Sequence, residues 1–242
     1  MKYYYTIILA VLILAISILA FSAKPQAGLN IKEADVEKYS SSFDQQALQK
    51  ILSDYNNLND KSKLKPTDYY LLARTCEGLL SYYEAYDNEQ EVTKIALLGT
   101  ELAQKAIELD NTLSDAHRVL SRFLAKQLNW GNIYQLGPKV LDELDRAVKT
   151  DPHNYRATLG KVVVYLYAPP MFGGNVDLAI QKLNEFTDKY PAFEDGFLNL
   201  GIAYKVKGNT IKAKEIFESV LSRNPSNLTA KKELKIMNTS KP

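Results

Sequence analysis

Beyond about residue 42, apolar residues recur every three or four positions almost to the C-terminus, the period of helices that bury one face. No segment alternates apolar and polar residues as a half-buried strand would. The β-branched run Val162-Val163-Val164-Tyr165 stands among Ala157, Leu159 and Leu166 at helical spacing, and is read as helix. Residues 42–58 predict a lone leading helix, and 226–237 a polar-faced capping helix. Residues 24–41 are polar, carry Pro25 and Gly28, and predict a linker.

The helical pattern repeats. Near the C-terminus the order is Phe197-x2-Leu200-Gly201-x2-Tyr204, then Ala213-x3-Phe217, then Pro225. Gly201 and Ala213 are small where paired helices would cross closely, Lys207-Gly208-Asn209 supplies a turn, and Pro225 stops the second helix. This resembles the tetratricopeptide pattern, with Phe in place of the first Trp. Leu159-Gly160 with Ala179, Leu183 and Pro191 forms an earlier unit, and Leu120-Ser121 with Leu144, Ala147 and Pro152 another. Ala73, Ala103, Ala106 and Asn111 suggest a degenerate first one. The resemblance covers roughly residues 67–225 and implies an all-α, tetratricopeptide-type α-solenoid of about four helix-pair repeats with a capping helix, over 42–242. From the leucine to the closing proline the last unit spans 25 residues, and each of the two middle ones 32. Both middle repeats therefore carry seven extra residues between their helices.

The insertion Ala168-Pro169-Pro170-Met171-Phe172-Gly173-Gly174-Asn175, followed by Leu178-Ala179, is similar to a signature of the T component of TRAP transporters. Asn175 stands where that signature has Asp, and Asp177-Leu178 where it has Glu-Lys. The resemblance implies a periplasmic repeat protein whose partner is a solute-binding protein.

The N-terminus agrees with export. Lys2 precedes an apolar run over 7–21, and Ala20-Phe21-Ser22 offers small residues for cleavage. Residues 1–23 read as a signal peptide or, if Tyr3 to Tyr5 extend the apolar segment to the interface, as an uncleaved membrane anchor. Either places the rest of the chain outside the cytoplasm, with membrane contact confined to this segment.

Chemistry narrows the function further. The formal net charge is +2, so no global field favours nucleic acid. Cys76 is the one cysteine, sits in an apolar helical pattern and reads as a buried structural thiol. His117 and His153 lack neighbouring ligands at metal spacing, and no nucleophile–base set or cofactor motif stands out. The chain reads as a binding protein, not an enzyme, with no metal and no cofactor. Two candidate surfaces emerge. Arg118, Arg122 and Lys126 recur every four residues along a helix over 114–127 and form a basic stripe. With Lys161, Tyr165, Asn199 and Lys205, which repeat counting places on the same concave side, they would clamp a carboxylate or an acidic segment of a partner protein. The second surface is an edge built from the two insertions: Trp130 with Pro170, Met171, Phe172, Gly173, Gly174 and Asn175. It would meet a partner or enclose a small apolar ligand. The plainer readings are a solvated charged face, and a glycine turn in which Asn175 caps the next helix.

Overall fold

A computed structural model describes residues 29–239. The expected export segment over 1–23 lies outside the described residues. Among the described residues every regular element is helical. Helices α1 (Glu33–Ser41) and α2 (Gln45–Asn56) lead into four antiparallel pairs: α3 (Pro66–Ala85) with α4 (Glu89–Leu109), α5 (Ser114–Lys126) with α6 (Ile133–Thr150), α7 (Tyr155–Tyr167) with α8 (Val176–Lys189), and α9 (Glu194–Val206) with α10 (Thr210–Arg223). Helix α11 (Leu228–Thr239) closes the array. The described residues form an all-α solenoid of antiparallel helix pairs, and Val162 to Tyr165 lie within α7.

Asparagine side chains cap five of these helices. The side chains of Asn88, Asn154, Asn175, Asn209 and Asn227 each accept from the backbone N–H three residues on, at 3.2, 2.9, 3.0, 3.1 and 2.8 Å. Each cap satisfies a donor that the helix cannot, and contributes about 1 kcal/mol. Within a pair, small residues let the helices close up. Phe217 lies directly over Gly201, and Ala213 is fully buried.

The two insertions take different forms. In the second pair, residues 127–132 make a loop and the remainder lengthens α6, which accommodates Pro138 one turn in. In the third pair a short 3-10 turn, Pro170–Phe172, is followed by Gly173 at φ 91°. Asn175 N–H then donates to Tyr165 O at 2.7 Å, pinning the loop back on α7.

Two expectations are corrected. Residues 33–41 of the expected linker form α1, whose Val36 is buried, because Leu29, Ile31 and Tyr39 find the first apolar cluster to pack against. For the same reason α2 is not a lone leading helix. The apolar core itself is divided: one cluster runs from α2 to α6, a second through α7, α8 and α9, and a small third joins α9, α10 and α11.

The array turns back on itself. Lys232 of α11 donates to Glu84 O of α3 at 2.8 Å and pairs with Asp87. The first helix of each pair, together with α11, thus lines the inside of a nearly closed curve.

Candidate functional site

The inner face carries a charge network centred on α3. That helix is largely apolar but bears Arg74, Glu77 and Glu84 on one side. Glu77 is buried and takes two hydrogen bonds from Arg118 of α5, at 2.6 and 3.0 Å, as well as an ion pair with Arg74. Burial favours its neutral form, yet Arg118 and Arg74 outweigh that and hold its carboxyl well below the ordinary value. Arg122 lies 3.4 Å from Glu77 and 3.3 Å from Glu84, and Lys126 lies 3.0 Å from Glu84. The basic stripe therefore exists, but its charge is matched within the fold. Arg118, buried and paired, is a structural residue rather than an open clamp for a partner's carboxylate.

Other inner-face groups join from later repeats. Tyr167 of α7, 59% exposed, donates to Asn199 of α9 at 3.3 Å. Crowding by the surrounding helices raises the Asp195 carboxyl, although the residue itself is exposed, with Arg122 opposing. Lys205 pairs with Glu233 of α11.

Lys161 and Tyr165 do not join this face. Lys161 stands roughly 140° around α7 from Arg156, since each residue advances the helix by about 100°. It meets Asp145 of α6 at 2.6 Å. With Tyr165 it lines a separate cleft of about 270 Å³ between α6 and α7, walled by Leu141, Leu144, Val164 and Phe172. The cleft lies on the seam between the two large apolar clusters.

Above that seam the two insertions meet. The rings of Tyr134 and Phe172 pack edge to face, with centroids 5.3 Å apart. Around them Trp130 is 78% exposed, Tyr134 70% and Met171 67%. The expected placement of both insertions on one edge is what this contact creates. Gly174 is required there, because a Cβ would collide with Ala168 O. The residues missed by sequence reasoning are Glu77, Glu84 and Tyr134. A carboxylate in mid-helix among apolar neighbours was the available signal for Glu77.

Cys76 is fully buried, and that burial pushes its thiol up, away from reactivity. Among the described residues no cluster of His, Cys, Asp and Glu could hold a metal ion, and no helix is long and apolar enough to cross a membrane.

A segment of 57 residues is 40% identical to the TPR repeat-containing protein YvcD of Bacillus subtilis (strain 168). The match covers 24% of this chain and 12% of that protein. No family model matches the chain. Among solved structures, YrrB, a TPR protein with an unusual peptide-binding site, is 20% identical, with 83% of this chain and 88% of that one covered and a TM-score of 0.40. MamA is 20% identical over 85% of this chain and 99% of its own, with a TM-score of 0.39.

Proposed function

We propose that the protein is an extracytoplasmic, tetratricopeptide-type scaffold that docks a partner protein on the edge formed by its two insertions. The observation that carries this reading is the contact between the two insertions at Tyr134 and half-buried Phe172, with Trp130, Tyr134 and Met171 of the same insertions left largely open to water. Isolated exposed apolar residues are ordinary, whereas a contiguous group of them marks an interaction surface. Aromatic and Met side chains are also the types enriched where proteins meet. The inner face is less suited as the primary dock, since its cations are already paired. The partner we infer is a solute-binding protein of a TRAP-type transporter, on the strength of the Pro169 to Asn175 sequence and the N-terminal export pattern.

A small apolar ligand in the cleft below Phe172 is the second reading. At about 270 Å³ the cleft falls just under the ~300–1,000 Å³ usual for ligand sites. An ion pair stands in its wall. Native mass spectrometry of protein from its own host would reveal such a ligand as added mass.

The test is affinity capture from host envelope extract, with the full chain beside a variant carrying Trp130→Ala, Tyr134→Ala and Met171→Ala. These side chains are exposed, so the variant should melt within a few degrees of wild type. The expected result is a solute-binding protein retained by wild type and lost by the variant. Equal retention by both would remove the edge from consideration, and capture of some other protein would remove the transporter assignment.

A further inference from the structure

Helix α1 occupies an unusual place. It does not form a close pair with α2 but lies along the inner face, roughly parallel to α3. Tyr70 of α3 donates to Glu33 at 3.4 Å, Arg74 pairs with Glu37 at 2.7 Å, and Ser40 rests on Gly78. Its contacts then leave α3 altogether. Arg156, at the start of α7, pairs with Glu37 at 2.8 Å across 119 residues of sequence. Asn224, in the turn after α10, donates to Ser41 O at 3.0 Å across 183. A nine-residue helix thus bridges the first, third and fourth repeats from inside the curve.

The chemistry of this seat is that of a ligand in a groove more than of a core helix. Val36 is the one fully buried apolar residue of α1, with Leu29, Ile31 and Tyr39 half-buried beside it. The rest of the contact is ionic and polar: two arginines from different repeats converge on one carboxylate. Helix α1 has no side-chain cap at Lys32. At nine residues it is too short to persist without its seat. Ser40 Oγ is buried against Gly78 without a hydrogen-bond partner, so the fit is imperfect. Elsewhere on the inner face the arginines Arg118 and Arg122 are matched by α3 carboxylates, whereas Arg156 makes its ion pair with α1.

We propose that α1 is a displaceable, cis-bound occupant of the inner face. The surface beneath it, Tyr70, Arg74, Gly78, Arg156 and Asn224, is a docking site for an acidic helix of a partner protein. That helix would carry two carboxylates one turn apart and a small residue one turn further on, the arrangement of Glu33, Glu37 and Ser40–Ser41. While α1 is seated, the site is closed; a partner helix gains access by competing with it. This site is separate from the insertion edge, and neither depends on the other.

The probe is a fluorescent peptide of residues 29–42, titrated into the full chain and into a Glu37→Arg variant, with anisotropy as the readout. Reversing Glu37 sets a cation against Arg74 and Arg156 and unseats α1, so the variant should bind the peptide at least about tenfold more tightly than wild type, a shift of about 1.4 kcal/mol. A peptide carrying the same Glu37→Arg change should not bind it. Hydrogen exchange on the wild-type chain provides a reading that needs no variant: amides of 33–41 should exchange well before those of α3. Equal peptide affinity for both chains, or α1 amides that exchange only together with α3, would show α1 to be a fixed part of the fold and overturn the proposal.

Discussion

Two buried ionisable residues give the sharpest consequences at the scale of single side chains. Glu77 separates Arg74 and Arg118, whose side chains are only 11% and 8% exposed. Glu77→Gln would leave two buried guanidinium groups without their shared anion, a loss of about 3–5 kcal/mol measurable by urea unfolding. Because the folded carboxyl sits well below its unfolded value, this contribution is present above the ordinary carboxylate range and fades as pH falls through the folded value. The stability gap between wild type and variant should therefore narrow in strong acid. His117 behaves in the opposite sense. Its Nδ1 meets Glu143 at 2.6 Å and its Nε2 meets Asn111 O at 3.0 Å. The hydrogen bond to Glu143, opposed by burial, raises its pKa above 6.5. Stability from the charged imidazolium is complete below that unfolded value and is lost as pH rises through the folded one. Thermal midpoints of wild type and Glu143→Gln should differ more at about pH 6 than at about pH 9. An unchanged gap would mean that the pair is held by packing alone.

At the scale of helices, caps and crossings decide where each element begins and how closely it packs. Asn175 caps α8, and Asn175→Ala should lower stability by about 1 kcal/mol in chemical denaturation. Gly201→Ala is expected to cost about 1–3 kcal/mol, since a Cβ would stand 2.7 Å from Phe217 Cε1 in a fully filled core. Both sites are legible in the sequence, because a cap or a helix crossing is specified by residues a few positions apart. The form of the insertions is not. Seven added residues became partly extra helix in α6 and wholly a turn before α8. Glycines and prolines cluster at 169–174, and only the second insertion has that constraint.

Across the whole molecule, the divided core matters more than any one contact. The two large apolar clusters meet between α6 and α7, where the cleft interrupts packing. Repeat arrays are stabilised by nearest-neighbour interfaces, so the weakest interface opens first. Native-state hydrogen exchange should show α7–α11 opening as a unit before α3–α6. A single cooperative unit would instead mean that closure through Lys232 and α1 binds the halves together. The insertion edge lies directly over this seam, so a partner seated there would bridge both halves and slow that opening.

What could be read along the chain was local: helical period, the pairing of helices, the small residues at Gly201 and Ala213, the cap at Asn175, and the shared length of the two insertions. Each depends on residues within one or two turns, or on a repeat that recurs. The curvature of the array decided the rest. A helical period puts Arg118 and Arg122 on one face, yet it does not say that Glu77 and Glu84 of the preceding repeat face them and neutralise the stripe. Nor does it turn Lys161 away toward Asp145. The seating of α1 is the extreme case: Glu37 meets Arg156 only because successive small rotations between repeats bring the third pair back over the first. Such rotations add up over the whole array, and no short stretch of sequence encodes their sum.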